Sequence, residues 1–471
     1  MSFTKFSIRS LSHGFFLAAV SIFLSSCSSA DDGAAPAPYC TNATQGASSS
    51  VITTSLTNII PVYVADPATT GSIGYANEPL VSITICSPNH TSASQCQTIS
   101  NILLDTGSFG LRLFTQTIAS NVALAQQTVT VQGQIEDVAE CVEFGTGADW
   151  GGVENGDLIL GNQTAINIPI QVIDYNFSQI PSACASLSPD TNPCSDQANF
   201  NGILGVGVFP QDCGNDCNST DPSTNPGQYL ACDSVNGCFN VYSGACAGGS
   251  CAVAIPTSSQ VENPIAVLGS GFNNGISLSL PSISTAGASQ VSGSFTIGIG
   301  VTASNVPGAS VKVYYADPNG ETDSQGSDFL SEFDSGGGTV YGIAGNGNQA
   351  YLDSGSTALL FPSIIALPDC TDGSGLFCPA SLQSLTATIE SYNSSGSGSP
   401  STPINFSVQN GDALVNSSNS AFNDVAGDIG GSGGFDWGLT FFFGRTVYVG
   451  IGGTTASFNG TPTNGGPYWG F

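Results

Sequence analysis

Apolar positions along the chain come in short runs bounded by turn-forming residues. Leu80-Val81-Ser82-Ile83-Thr84-Ile85, Thr128-Val129-Thr130-Val131 and Ser294-Phe295-Thr296-Ile297 have the length and composition of β-strands. Gly, Ser, Thr and Asn fill the intervals, and helix signals are scarce. The pattern predicts an all-β protein with few short helices. So long a chain exceeds a single β core, so two β lobes are expected, over 51–262 and 263–471, dividing near Glu262-Asn263-Pro264. The aromatic run Phe441 to Phe443 reads as buried strand.

One apolar run breaks this pattern. Phe15 to Leu24 follows Lys5 and Arg9 and is too short to span a bilayer, so residues 1–26 read as a signal peptide. Leu24-Ser25-Ser26-Cys27 resembles a bacterial lipobox, which makes Cys27 the expected lipidation site. Residues 27–50 then form a Ser/Ala/Pro tether. The expected location is the bacterial cell envelope, exported and lipid-anchored. Ser28, rather than Asp, after the lipidated residue fits the outer membrane.

The cysteine count agrees with export. There are 15, and setting Cys27 aside leaves 14, a number that can pair completely in an oxidising compartment. Cys213, Cys217, Cys232, Cys238, Cys246 and Cys251 crowd one stretch without a His and at irregular spacing, so disulfides are expected there rather than zinc.

Charge narrows the partners. After processing, Arg112, Lys312 and Arg445 stand against 34 acidic residues, a balance of about −31. Phosphate backbones would repel such a chain, so nucleic acid is excluded as a partner. His90 is the one histidine left for Ser-His-Asp, Cys-His or His-metal chemistry, and it lies in a polar loop. The acidic run from Asp317 through Asn319, Glu321, Asp323 and Asp328 has Thr322 where a Ca²⁺ loop needs its sharp-turn Gly, and reads as a solvated loop. No metal or cofactor is expected.

The two halves echo each other. Asn101-Ile-Leu-Leu-Asp105-Thr106-Gly107-Ser108 and Gln349-Ala-Tyr-Leu-Asp353-Ser354-Gly355-Ser356 both read as apolar strand, Asp, small hydroxyl residue, Gly, Ser. They lie 248 residues apart. Each part of the motif has a physical use. Gly107 and Gly355 let two backbones approach closely. Thr106 and Ser354 can lock the turns across the lobes, and Ser108 and Ser356 can hydrogen-bond the carboxyls. Two facing carboxyls cannot both ionise, so Asp105 and Asp353 would share a proton. One could then activate a water while the other donates to a carbonyl oxygen.

On these residues the chain resembles the two-lobed, pepsin-like aspartic peptidases over Pro79 to about Gly452. Three further segments fall in the family's order. Phe200-Asn-Gly-Ile-Leu-Gly-Val-Gly207 and Phe435-Asp-Trp-Gly-Leu-Thr-Phe-Phe-Phe-Gly-Arg445 resemble the segments that thread beneath each Asp loop. Glu143-Phe144-Gly145-Thr146-Gly147 resembles the flap, which makes Phe144, Gly145 and Thr146 substrate-facing. The resemblance implies an aspartic endopeptidase acting at acid pH on a peptide or protein substrate. Phe144 stands where the family carries Tyr, Trp-Gly-Leu-Thr replaces its Leu-Gly-Asp, and 176–262 holds a Cys-rich insertion. Trp150 or Asp149 could compensate for the missing flap hydroxyl. A bilobal binding lipoprotein without efficient turnover is the alternative. The DTGSFGLRLF and FDWGLTFFFGR segments also resemble a bacterial family of exported proteins described as of unknown function.

Lipidation supplies the membrane affinity in this reading. A Cys27→Ser protein is therefore expected to leave the membrane fraction on cell fractionation; retention there would overturn the assignment.

Overall fold

A computed structural model of the protein describes residues 57–65, 76–145, 147–191, 193, 200–233, 237–243, 250–318, 329–333, 340–342, 349–363, 367–393, 398–430 and 434–471. The signal segment, Cys27, the tether, Thr146 and most of the acidic run after Asp317 lie outside them. The protein is predominantly β, with 46% strand and 9% helix. No α-helix among the described residues exceeds five residues, and none is long and apolar enough to cross a membrane.

Ten strands position the site. In the first half they are β1 (Cys96–Asp105), β2 (Phe109–Phe114), β3 (Gln134–Phe144), β4 (Gly147–Leu160), β5 (Gln163–Ile173) and β6 (Gly202–Val206). In the second half they are β7 (Gln349–Tyr351), β8 (Leu359–Phe361), β9 (Ala426–Asp428) and β10 (Gly434–Trp437). Strand β6 runs parallel to β1 and antiparallel to β2, and β2 runs parallel to β5. The second half repeats that arrangement: β10 is parallel to β7 and antiparallel to β8, and β8 is parallel to β9. The echo read in the sequence is thus also an echo of topology.

The apolar character of these strands follows from burial on both faces. Leu104, Leu111 and Leu204 are fully buried beneath the first Asp turn, and Leu352, Phe361 and Trp437 beneath the second. All six belong to one hydrophobic cluster that runs through both halves. Strand pairing crosses the halves as well. Ile59–Val64 pairs antiparallel with Val291–Ile297, placing Ile60 opposite Phe295, within a sheet of 17 strands.

Phe441 to Phe443 is buried, but only Phe443 is β, in an isolated bridge to Leu280. Gly438–Phe442 is a short helix. A Cβ at Gly438 would lie 2.0 Å from the Ala358 carbonyl oxygen, so the chain turns at the one residue that permits this approach.

Five disulfides have both partners described, and the crowded stretch contributes Cys213–Cys217 and Cys232–Cys238. Cys251 is disulfide-bonded too, so these thiols are not free zinc ligands. Cys141–Cys184 spans 43 residues and Cys213–Cys217 only four. Loop-closure entropy predicts a loss of about 4 kcal/mol on replacing the first pair by Ala and about 2 kcal/mol for the second. Chemical denaturation of the two variants checks the order.

Candidate functional site

Both Asp turns follow from their strands. Asp105 ends β1, and Asp353 follows β7 by two residues. Thr106 and Ser354, which come next, exchange hydrogen bonds across the halves. The Thr106 amide donates to Ser354 Oγ at 3.0 Å, and the Ser354 amide donates to Thr106 Oγ1 at 3.0 Å. Each hydroxyl then donates onward, Thr106 to the Leu352 carbonyl at 3.1 Å and Ser354 to the Leu104 carbonyl at 2.7 Å. Each hydroxyl therefore accepts one bond and donates one, and no group in the exchange is left over.

This crossing brings the two carboxyls into hydrogen-bond contact. Gly107 and Gly355 are required at the meeting point. A Cβ on Gly107 would lie 2.5 Å from Asp353 Cγ, and one on Gly355 would lie 2.8 Å from Asp105 Oδ1. The same glycines donate their amides to their own aspartates, at 2.7 Å and 2.8 Å. Ser108 donates to Asp105 Oδ2, and Ser356 lies 2.9 Å from Asp353 Oδ2. Burial raises the Asp105 pKa well above the usual carboxylate range, and the neighbouring Asp353 charge raises it further. Such a pair keeps one proton between its two members.

The surroundings of the pair are not symmetric. Ser356 Oγ also lies 2.6 Å from Asp436 Oδ2. One hydroxyl proton cannot serve both carboxylates, so Ser356 links Asp353 to a third, buried carboxyl. In the first half the matching position is Ile203: it pairs with Leu103 as Asp436 pairs with Tyr351. Sequence reasoning missed Asp436. The signal was present, an acid in Phe435-Asp436-Trp437-Gly438 where Gly202-Ile203-Leu204-Gly205 is apolar.

The pair lines a cavity of about 370 Å³. Phe144 and Gly145, from the tip of the β3–β4 hairpin, line it too. Thr146 lies outside the described residues. Trp150 is buried against Phe177 and lies outside the cavity lining, whereas Asp149 is part of it. Five carboxyl side chains join the Asp pair in the lining, those of Glu78, Asp149, Asp190, Asp428 and Asp436, and no Lys, Arg or His does.

Beneath the hairpin Arg112 is completely buried. Its guanidinium reaches Glu140 and Asp212, each at 2.9 Å, and the Phe109 carbonyl at 2.7 Å. Gln228 bridges the same two carboxyls, at 2.7 Å from Glu140 and 2.8 Å from Asp212. Burial and then the Glu140 charge raise the Asp212 pKa well above its ordinary value, while the Arg112 charge opposes the rise. The Phe144 ring, at the hairpin tip, sits over the guanidinium at 5.6 Å, a cation–π contact that anchors it without a hydroxyl. His90 is remote from all this. Its Nδ1 lies 2.7 Å from Asp157 of β4, and neither residue lines the cavity.

Residues 54–471 match the family described as "Protein of unknown function (DUF3443)", and the chain belongs to that family. No curated protein matches it.

The reciprocal exchange predicts the effect of breaking it. Thr106→Val and Ser354→Ala each leave buried backbone groups unpaired, at about 2–4 kcal/mol of stability. Each change removes a different two of the four bonds, yet the double variant should lose less than the sum, since losing either hydroxyl already loosens the turn that the other's bonds hold. Urea denaturation of the four proteins measures the coupling, and strict additivity would show that the exchange is not a unit.

Proposed function

We propose that the protein is an aspartic endopeptidase of bilobal, pepsin-like architecture, in which Asp105 and Asp353 activate water against a peptide bond. The observation that carries the reading is the proton-sharing carboxyl pair, locked by the Thr106–Ser354 exchange on the floor of a cavity. The repeated four-strand arrangement supports the architecture, and the hairpin carrying Phe144 supports a flap over the substrate.

The chemistry follows from the shared proton. The ionised member of the pair takes a proton from a water molecule, whose oxygen bonds to the peptide carbonyl carbon. The protonated member donates to the carbonyl oxygen. The tetrahedral intermediate then returns a proton to the amide nitrogen, the C–N bond breaks, and a carboxylic acid and an amine leave. Burial and the mutual repulsion of the two carboxyls raise the titration of the pair, which holds one proton between its members at the start. Ser356 and Asp436 position Asp353 from behind. We further propose that the protein works at the cell envelope, held there by lipidated Cys27.

Cleavage of a mixed peptide pool between pH 3 and 7 is the direct test. One carboxyl must be ionised and the other protonated, so activity is expected to be bell-shaped on the acid side. The acid limb marks protonation of the ionised member, and the other limb marks loss of the pair's shared proton. Asp105→Asn and Asp353→Asn should each lower the rate by about 10²–10⁴-fold, and the double variant little further. Pepstatin should inhibit the wild type. Cleavage undiminished in Asp353→Asn would end the mechanism. A folded wild-type protein that binds peptides and cleaves none would favour the bilobal binding protein.

A further inference from the structure

Four carboxyls in the cavity lining take no part in the chemistry above, and two of them, Asp149 and Asp190, interact with each other. Asp149 follows the hairpin tip on β4, opposite Val142 of β3. Asp190 reaches the same place from a different segment. Pro189 bridges Ala148, and the Asp190 amide donates to the Ala148 carbonyl at 2.9 Å. The Cys141–Cys184 disulfide ties that segment to β3. Asp149 is 2% exposed and Asp190 8%. Asp149 Oδ2 and Asp190 Oδ1 are buried without a hydrogen-bond partner, and both residues line the cavity that holds the Asp pair.

We propose that Asp149 and Asp190 form a cation subsite that takes the ammonium or guanidinium group of a Lys or Arg side chain in a bound polypeptide. The polypeptide nature of the ligand rests on the peptidase reading; the cation does not. Burying carboxyls without partners is costly, and the cost is recovered when a cation docks between them. No cation among the described residues does so: Arg112, which interacts with Asp149 electrostatically, already bonds Glu140, Asp212 and the Phe109 carbonyl. Phe144 and Phe200 supply apolar wall for the aliphatic stem of a long basic side chain. A divalent ion fits less well, because Ca²⁺ requires six to eight oxygens. Asp149 and Asp190 are also not among the clusters of three or more candidate ligands found in the described residues.

The titration of the two groups agrees. Burial lifts the Asp190 carboxyl to about 6, and burial with the Asp190 charge holds Asp149 well above its usual range. Glu140 adds to the rise at Asp149 and Arg112 opposes it. A docked cation favours the ionised forms, so preference for it should strengthen as pH rises through about 6.

The test is peptide binding to the Asp105→Asn protein at pH 7, which reads the subsite without cleavage. Labelled peptides differ only in Lys or norleucine at one position, scanned along the sequence. At one position Lys should bind at least about tenfold more tightly, a difference of about 1.4 kcal/mol. Adding Asp149→Asn or Asp190→Asn should erase most of that ratio, and millimolar Ca²⁺ should not compete. Both changes are near-isosteric and relieve carboxyl repulsion, so melting temperatures should hold; if one variant fails to fold, the other carries the test. Equal affinity at every position, a preference that survives both substitutions, or displacement by Ca²⁺ would overturn the subsite. Lys preference in binding with no cleavage by the wild type would sink the peptidase reading alone. Asp105-dependent cleavage indifferent to Lys would sink the subsite alone.

Discussion

The site depends on a single crossed exchange, in which the hydroxyls of Thr106 and Ser354 each accept an amide and donate to a carbonyl from the opposite half. Only a small side chain with one donor and one acceptor can do this in a fully buried place. The exchange fixes the turns, the turns fix Gly107 and Gly355 against the opposing carboxyls, and those approaches fix the Asp pair. Leu104 and Leu352 contribute their carbonyls to the exchange and their side chains to the common hydrophobic cluster. Packing and site geometry are therefore one constraint.

On that near-twofold frame the two halves carry unlike chemistry. Ile203 leaves Ser108 to a single carboxyl, while Asp436 gives Ser356 two. Arg112 has no counterpart among the described residues of the second half: its repeat position, offset by 248, is Leu360. The first half thus gains a guanidinium–carboxylate cluster under the hairpin, and the second gains an extra acid behind its aspartate. A symmetric pair of carboxyls would have no preferred proton holder; unequal surroundings bias one.

The parts legible in the sequence are those written twice. Asp105 and Asp353 stand out because each follows an apolar strand and precedes the same small residues, and the strand-rich architecture follows from short apolar runs. Contacts made once were not legible. Arg112 lies 28 residues from Glu140 and 100 from Asp212, and nothing in the spacing connects them. Asp190 meets Ala148 of β4 through a single amide hydrogen bond, next to the Pro189 bridge. The run Phe441 to Phe443 suggests strand because apolar runs of that length do not distinguish strand from a buried helical turn; the close approach at Gly438 decides it for Phe441 and Phe442. Asp149 and Trp150 are neighbours on a strand, so only one could face the cavity, and the alternation of faces gave that place to the acid.

The Cys141–Cys184 bond has a consequence in time rather than space. Asp190 stands six residues after Cys184, and its other described backbone ties to the hairpin are the Pro189 bridge and one amide bond to Ala148. Before the two thiols are oxidised, those ties and the apolar packing of Cys184 with Ala139 and Trp150 hold that wall of the cavity. Oxidation closes it covalently. The carboxyl-lined wall is thus finished only after the chain meets an oxidant, and a polypeptide still in a reducing compartment carries the Asp105–Asp353 pair without a secured wall beside it.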